Sequence, residues 1–235
     1  MSYPIDDSQR TWARVIGVSY FVALFIGIFA EFYVTGRVLV YENAVETARN
    51  IIEHERLVRL GTAANLIGMC IDVVLITGLY VVLRSVNRGI ALLAISFRIL
   101  ETAFLMIAAL TDFNVLRLLS GAGYLSVIES NQLASLARLS ISAHADAYRI
   151  ALLLFGLGSS LFGYLWLESR FIPRAFALWG IGASAITGAA ALTLMVFPEF
   201  RDWLTVYVYA APIFLFELTM GLWLMIKGLP SRETT

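Results

Sequence analysis

Charge is what this sequence most lacks. Of 235 residues only 17 are Lys or Arg and 17 are Asp or Glu, 14% together, where ordinary soluble domains carry about 25%. Lysine occurs once, at Lys227. The formal net charge is zero and the arginines are scattered, so no basic face exists that could neutralise a nucleic-acid backbone, which argues against nucleic acid as a partner. The single cysteine, Cys70, rules out an intramolecular disulfide and sits in an apolar run as a small hydrophobe. There are two histidines and no H-E-x-x-H, no Gly-rich phosphate loop, no Ser-His-Asp order and no haem-attachment motif. No familiar enzyme signature is present, and no cofactor or metal is expected.

What fills the space is hydrocarbon. Hydrophobic residues make up 60% of the chain, and the mean hydropathy is +0.81. Crossing a bilayer takes about 20 mostly apolar residues in a helix, because each backbone polar group must be satisfied within the segment. Six stretches qualify: 12–33, 60–83, 89–110, 148–167, 175–197 and 204–226. The expectation is an all-α, polytopic membrane bundle forming one domain, with tails at 1–11 and 227–235. The N-terminal "MSYPIDDSQRTWAR" is polar and acidic rather than a short basic leader region, so the first helix is read as retained.

Basic pairs set the orientation. Arg10 and Arg14, Arg84 and Arg88, Arg170 and Arg174, and Lys227 and Arg232 mark alternate ends of the spans, which predicts both termini inside. The arginines of the outer segments are interleaved with acids such as Glu42 and Glu199. Two long connections, 35–59 and 113–147, then fall outside, and each is expected to hold an amphipathic segment lying at the interface, with Gly121 and Gly123 breaking the third helix. Such loops could equally cap the bundle or meet a partner, whether a second copy or another membrane protein.

Within the bilayer, small residues hold helices together. Gly156, Ser160 and Gly163 line one stripe of the fourth span, and Gly180, Ser184 and Gly188 recur every four positions in the fifth. With Pro173 in the short turn "ESRFIPRA", they predict an antiparallel hairpin. Pro212 removes one backbone hydrogen bond in the sixth span.

Several stretches resemble a known family. "RLGTAANLIGMCIDVVLITGLYVVLRSVNRGIALLAISFRILETA" and "HADAYRIALLLFGLGSSLFGYLWLESRFIPRAFALWGI" look like the bacterial multi-pass membrane family catalogued as domain of unknown function 4386. The resemblance runs from about Arg59 to Gly182 and implies a bacterial inner-membrane protein without implying an activity.

The scarce charges inside the spans then stand out. Arg98 follows Arg88 by ten residues, about 15 Å of helix, or half of a hydrocarbon core about 30 Å thick. Glu101 lies one turn on and shares its face. Asp72 and Glu217 fall at similar depth in the second and sixth spans, and Asn65 extends the Asp72 face by seven residues. One cation and three potential anions could therefore meet in one layer. A single guanidinium cannot hold three carboxylates ionised at low dielectric, so at least one of them is expected to carry a proton. Such a layer serves a structural cross-link, or a site that binds or carries a small molecule or proton. A second, outer cluster comprises Glu31, His54, His144, Asp146 and Arg149. It would suit an oxygen and imidazole metal site, or a membrane hydrolase, only if both histidines converged; the plainer expectation is that Asp146 pairs with Arg149 and His144 orients its helix.

Overall fold

The computed structural model describes residues 5–40 and 43–230, with the Glu31 side chain excepted. Glu42 and Arg232 lie outside the described residues. Among the described residues the chain is entirely helical, with seven main helices: α1 Asp7–Val38, α2 Ala44–Glu53, α3 Glu55–Leu83, α4 Arg88–Leu118, α5 Ser130–Ser169, α6 Arg174–Val196 and α7 Val206–Ile226. All but α2 are long and apolar enough to cross a membrane.

Where the helices begin and end follows local chemistry. Asp6 and Gln9 cap the start of α1 reciprocally: the Gln9 amide donates to Asp6 Oδ1 (2.7 Å) and the Asp6 amide to Gln9 Oε1 (2.9 Å). The helix thus starts inside the expected tail. Near its far end the backbone of Phe29–Thr35 widens into a π-helical turn before Val38 closes the element. Asn43 Oδ1 accepts the Glu46 amide at 2.9 Å and starts α2, while Thr47 ties back to both backbone groups of Val40. Pro173 occupies the position before α6, as the sequence suggested.

Two expectations change. Gly121, with φ of +68°, does end the segment after α4. Residues 130–147, however, are not a separate interfacial piece: they continue without a break into α5, whose 40 residues are about twice one crossing. No proline or glycine interrupts 130–155, so once Ser130 begins the helix nothing stops it. The small-residue stripe of α6 is also divided. Gly188 and Gly156 meet backbone to backbone, where a Cβ on Gly156 would come 2.6 Å from Gly188 Cα. A Cβ on Gly180 would instead strike the Phe216 ring of α7 at 2.6 Å.

The chain divides into two compact units. Unit 1 comprises Met1–Leu24, Cys70–Ala103 and Arg149–Thr235. Its core is built from Ile16 of α1, Leu75 and Ile76 of α3, Ala91 and Ala94 of α4, Leu165 of α5, Ala183 of α6 and Met220 of α7. Unit 2 comprises Phe25–Met69 and Phe104–Tyr148, with a smaller core of Val38, Ile51, Val115, Leu116 and Ala137.

Helix α4 shows the environment these helices are made for. Leu92, Leu93, Ile99 and Leu100 are exposed by half or more, whereas Arg98 and Glu101 are 4% and 6% exposed. A helix folding in water would place those groups the other way round. The inversion makes sense only when the surroundings are as apolar as leucine.

Candidate functional site

Four polar side chains of unit 1 lie at similar distances along their helices. Arg98 lies ten residues past the start of α4, and Asp72 eleven residues before the end of α3. Ser159 lies ten residues before the end of α5, and Glu217 nine before the end of α7. At 1.5 Å per residue these offsets all come to about 14–17 Å. Gln9 Nε2 donates to Val82 O, joining the start of α1 to the end of α3, and Gly17 of α1 abuts Gly221 on α7.

At the centre is a buried ion pair. Arg98 Nε stands 3.0 Å from Glu101 Oε2, and the two side chains are 5% and 8% exposed. The i, i+3 spacing brings them close, but the N–H does not point at the oxygen. Neither Arg98 Nε nor Glu101 Oε2 therefore has a hydrogen-bond partner among the described residues. The rest of the guanidinium is held from α5, where Arg98 Nη1 donates to Ser159 Oγ at 3.0 Å. Its central carbon, Cζ, lies over the Phe155 ring, 4.5 Å from the centroid. Gly158 makes room for the arginine stem, since a Cβ there would sit 2.8 Å from Arg98 Cγ and 3.0 Å from Ala94 O.

The field of Arg98 reaches Glu101 first, then Asp72, Tyr20 and Glu217. Tyr20 in turn feels Glu217, Arg98, Asp72 and Glu101. All five belong to unit 1, and Asp72, Tyr20 and Glu217 are half-buried. Tyr20 escaped the sequence reading because an aromatic residue in an apolar run carries no mark of the face it occupies. Ser159, Phe155 and Gly158 escaped it for the same reason. Asn65, expected to extend the layer along α3, falls in unit 2 and is half-buried.

The two outer histidines meet different groups. His144 Nδ1 lies 2.9 Å from Asp112 Oδ1 and 3.1 Å from the Ala108 carbonyl. A carbonyl only accepts, so Nδ1 carries the proton and donates to α4, and the ring stacks on Tyr148. His54 Nδ1 meets its own helix at Asn50 O, 3.0 Å away. Each imidazole thus has its Nδ1 engaged in a different place. Among the described residues no group of three or more His, Cys, Asp or Glu side chains could hold a metal ion. Glu53 and Glu55 form exposed i, i+4 pairs with Arg49 and Arg59, which contribute little. Asp146 is exposed on α5, Arg149 follows one turn later at the start of the unit 1 part of that helix, and the Glu31 side chain lies outside the described residues.

These features define an all-helical protein with six candidate membrane spans and a buried arginine–glutamate pair. The model of the family described as "Domain of unknown function (DUF4386)" matches residues 15–228. The chain belongs to that family. The match extends the resemblance seen from Arg59 to Gly182 in both directions, taking in α7 and most of α1. No curated protein and no solved structure matches the chain.

Proposed function

We propose that this is a multi-pass protein of the bacterial cytoplasmic membrane, with both termini inside, whose layer of Tyr20, Asp72, Arg98, Glu101 and Glu217 takes up protons or binds a small cationic molecule. The observation that supports this reading is a charge count: the one guanidinium of Arg98 feels the charges of three carboxyls, Glu101, Asp72 and Glu217. An unpaired ionised carboxylate in such surroundings costs several kcal/mol. Two negative charges beyond the Arg98–Glu101 pair therefore call for two protons or a positively charged guest. A structural cross-link alone requires only the pair, and Asp72, Glu217 and the Tyr20 phenol exceed that need. The orientation rests on the basic pairs at alternate helix ends.

The alternative is a structural or regulatory subunit whose ion pair fixes the packing of α4 on α5, its partner contacts lying in the outer segments. It draws support from the grip of Ser159 and Phe155 on the guanidinium.

The two readings separate in thermal unfolding of the parent and Glu101→Gln in detergent, followed across pH and against a panel of small amines and other solutes. Under our reading the parent midpoint shifts with ligand or with pH, and Glu101→Gln stays folded but loses the shift. A lower midpoint for the variant, with neither form responding to any solute or to pH, assigns the layer to structure.

A further inference from the structure

A second polar site lies at the helix ends of unit 1. A cleft of about 780 Å³ opens between the start of α1 and the turn joining α3 to α4, and its lining includes Asp6, Asp7, Gln9, Arg10, Arg84 and Arg88. Its floor is fixed by the buried Gln9 amide, which donates to Val82 O at 2.9 Å and Ser85 Oγ at 3.1 Å. The two acids do not neutralise the three arginines. Asp6 Oδ1 is engaged in capping α1, and among the described residues none of the three guanidiniums has an ion-pair or hydrogen-bond partner. Counting charges, three arginines against two aspartates leave a net +1. Arg10, Arg84 and Arg88 thus bring three guanidinium groups to one cleft, and a guanidinium is the planar fork that phosphate oxygens can match bidentately.

We infer that this cleft binds a phosphate-bearing anion at the membrane boundary. Its position favours a lipid source, because α1 begins, α3 ends and α4 begins there. That is the level at which the spans leave hydrocarbon and at which phospholipid phosphates lie. A soluble phosphate would use the same donors. The inference is independent of the buried layer and of which side of the membrane the cleft faces.

The test uses the full chain in neutral detergent, with retention of phosphatidylglycerol, phosphatidylcholine and inorganic phosphate followed by native mass spectrometry and by thermal protection. Phosphatidylglycerol should be retained in preference to phosphatidylcholine. An arginine near an anionic partner is worth roughly a fivefold change in affinity, so Arg84→Gln/Arg88→Gln should weaken retention roughly 25-fold. Arg174→Gln, an exposed arginine outside the cleft lining, should leave it unchanged. Protection by millimolar inorganic phosphate, lost in the double variant and competing with the lipid, would support the cleft and identify the ligand as a soluble phosphate. Equal retention of both lipids without phosphate protection would overturn the inference, as would an Arg174→Gln effect as large as that of Arg84→Gln, since diffuse surface charge would then suffice. Should the double variant fold poorly, Arg88→Gln alone carries the test with a fivefold expectation.

Discussion

If Arg98 is the hub of the buried layer, removing it should cost more than removing any one of its partners. At 3.0 Å from Glu101, with an effective dielectric constant of about 20, the gross attraction is about 5–6 kcal/mol. Desolvation cancels part of this, and removing one member of a buried pair typically costs about 3–5 kcal/mol, because the other charge is left behind. Arg98→Met leaves Glu101, Asp72 and Glu217 without their cation and Ser159 without its donor, so about 3–5 kcal/mol is expected. Glu101→Gln keeps a dipole beside the guanidinium, which still feels Asp72 and Glu217, and should cost about 1–3 kcal/mol, the desolvation penalty of a buried polar group whose partner has been weakened. Glu217→Gln removes a surplus negative charge and should fall near zero, within about 0.5 kcal/mol. The double variant Arg98→Met/Glu101→Leu should cost less than the sum of its singles, with a coupling of about 1–3 kcal/mol. Reversible unfolding of the detergent-solubilised protein by a denaturing detergent, read by tryptophan fluorescence, measures each difference. Equal costs for Arg98→Met and Glu217→Gln, or strict additivity in the double variant, would refute the assignment of Arg98 as the hub.

Two further outcomes test the packing. Gly156→Ala should destabilise by about 1–3 kcal/mol because its Cβ meets the Gly188 backbone, which cannot yield as a flexible side chain can; Gly182→Ala, with nothing within 4 Å, should be neutral or stabilising by up to about 1 kcal/mol, and the same unfolding assay distinguishes them. In unit 2, His144→Phe removes the donor to Asp112 and Ala108 while keeping a ring over Tyr148, so it should cost about 1–2 kcal/mol and speed amide exchange in 104–118 and 130–148 without altering exchange in α7.

Much of this was legible in the sequence because the bilayer imposes a simple rule on backbone polar groups. Long apolar runs had to be helices, and each of the six expected stretches overlaps one candidate span, although α4 ends at Leu118 rather than 110 and α5 begins at Ser130 rather than 148. Counting residues from the arginine-marked turns puts Asp72, Arg98 and Glu217 at similar distances along their helices, since rise per residue is fixed, and of these charges the structure pairs Arg98 with Glu101. Rotation about each helix axis is not fixed in this way. A run that is apolar all round gives no clue to its inward face, which is why Tyr20 and Ser159 were missed and why Gly180 was assigned to the wrong neighbour. Nor does hydropathy mark where a span ends if the helix continues into polar sequence. Residues 130–147 therefore read as a separate segment on hydropathy, although they contain no proline or glycine to stop a helix.

The position of Gly158 bears on what the buried layer is for. A structural ion pair between residues three apart on α4 needs nothing from α5, since both partners lie on the same helix. Yet α5 contributes a hydroxyl to one nitrogen of Arg98, a ring beneath its central carbon and a missing side chain beside its stem. These three contacts, from consecutive turns of α5, fix the guanidinium and leave its Nε beside Glu101 without a properly aimed hydrogen bond. A group held so firmly from behind and incompletely satisfied in front is preorganised, its ordering cost already met by the fold. Gly158→Ala should therefore disturb more than packing. By displacing the arginine stem it should alter the response of the layer to protons or cationic solutes, even where α4 and α5 remain assembled.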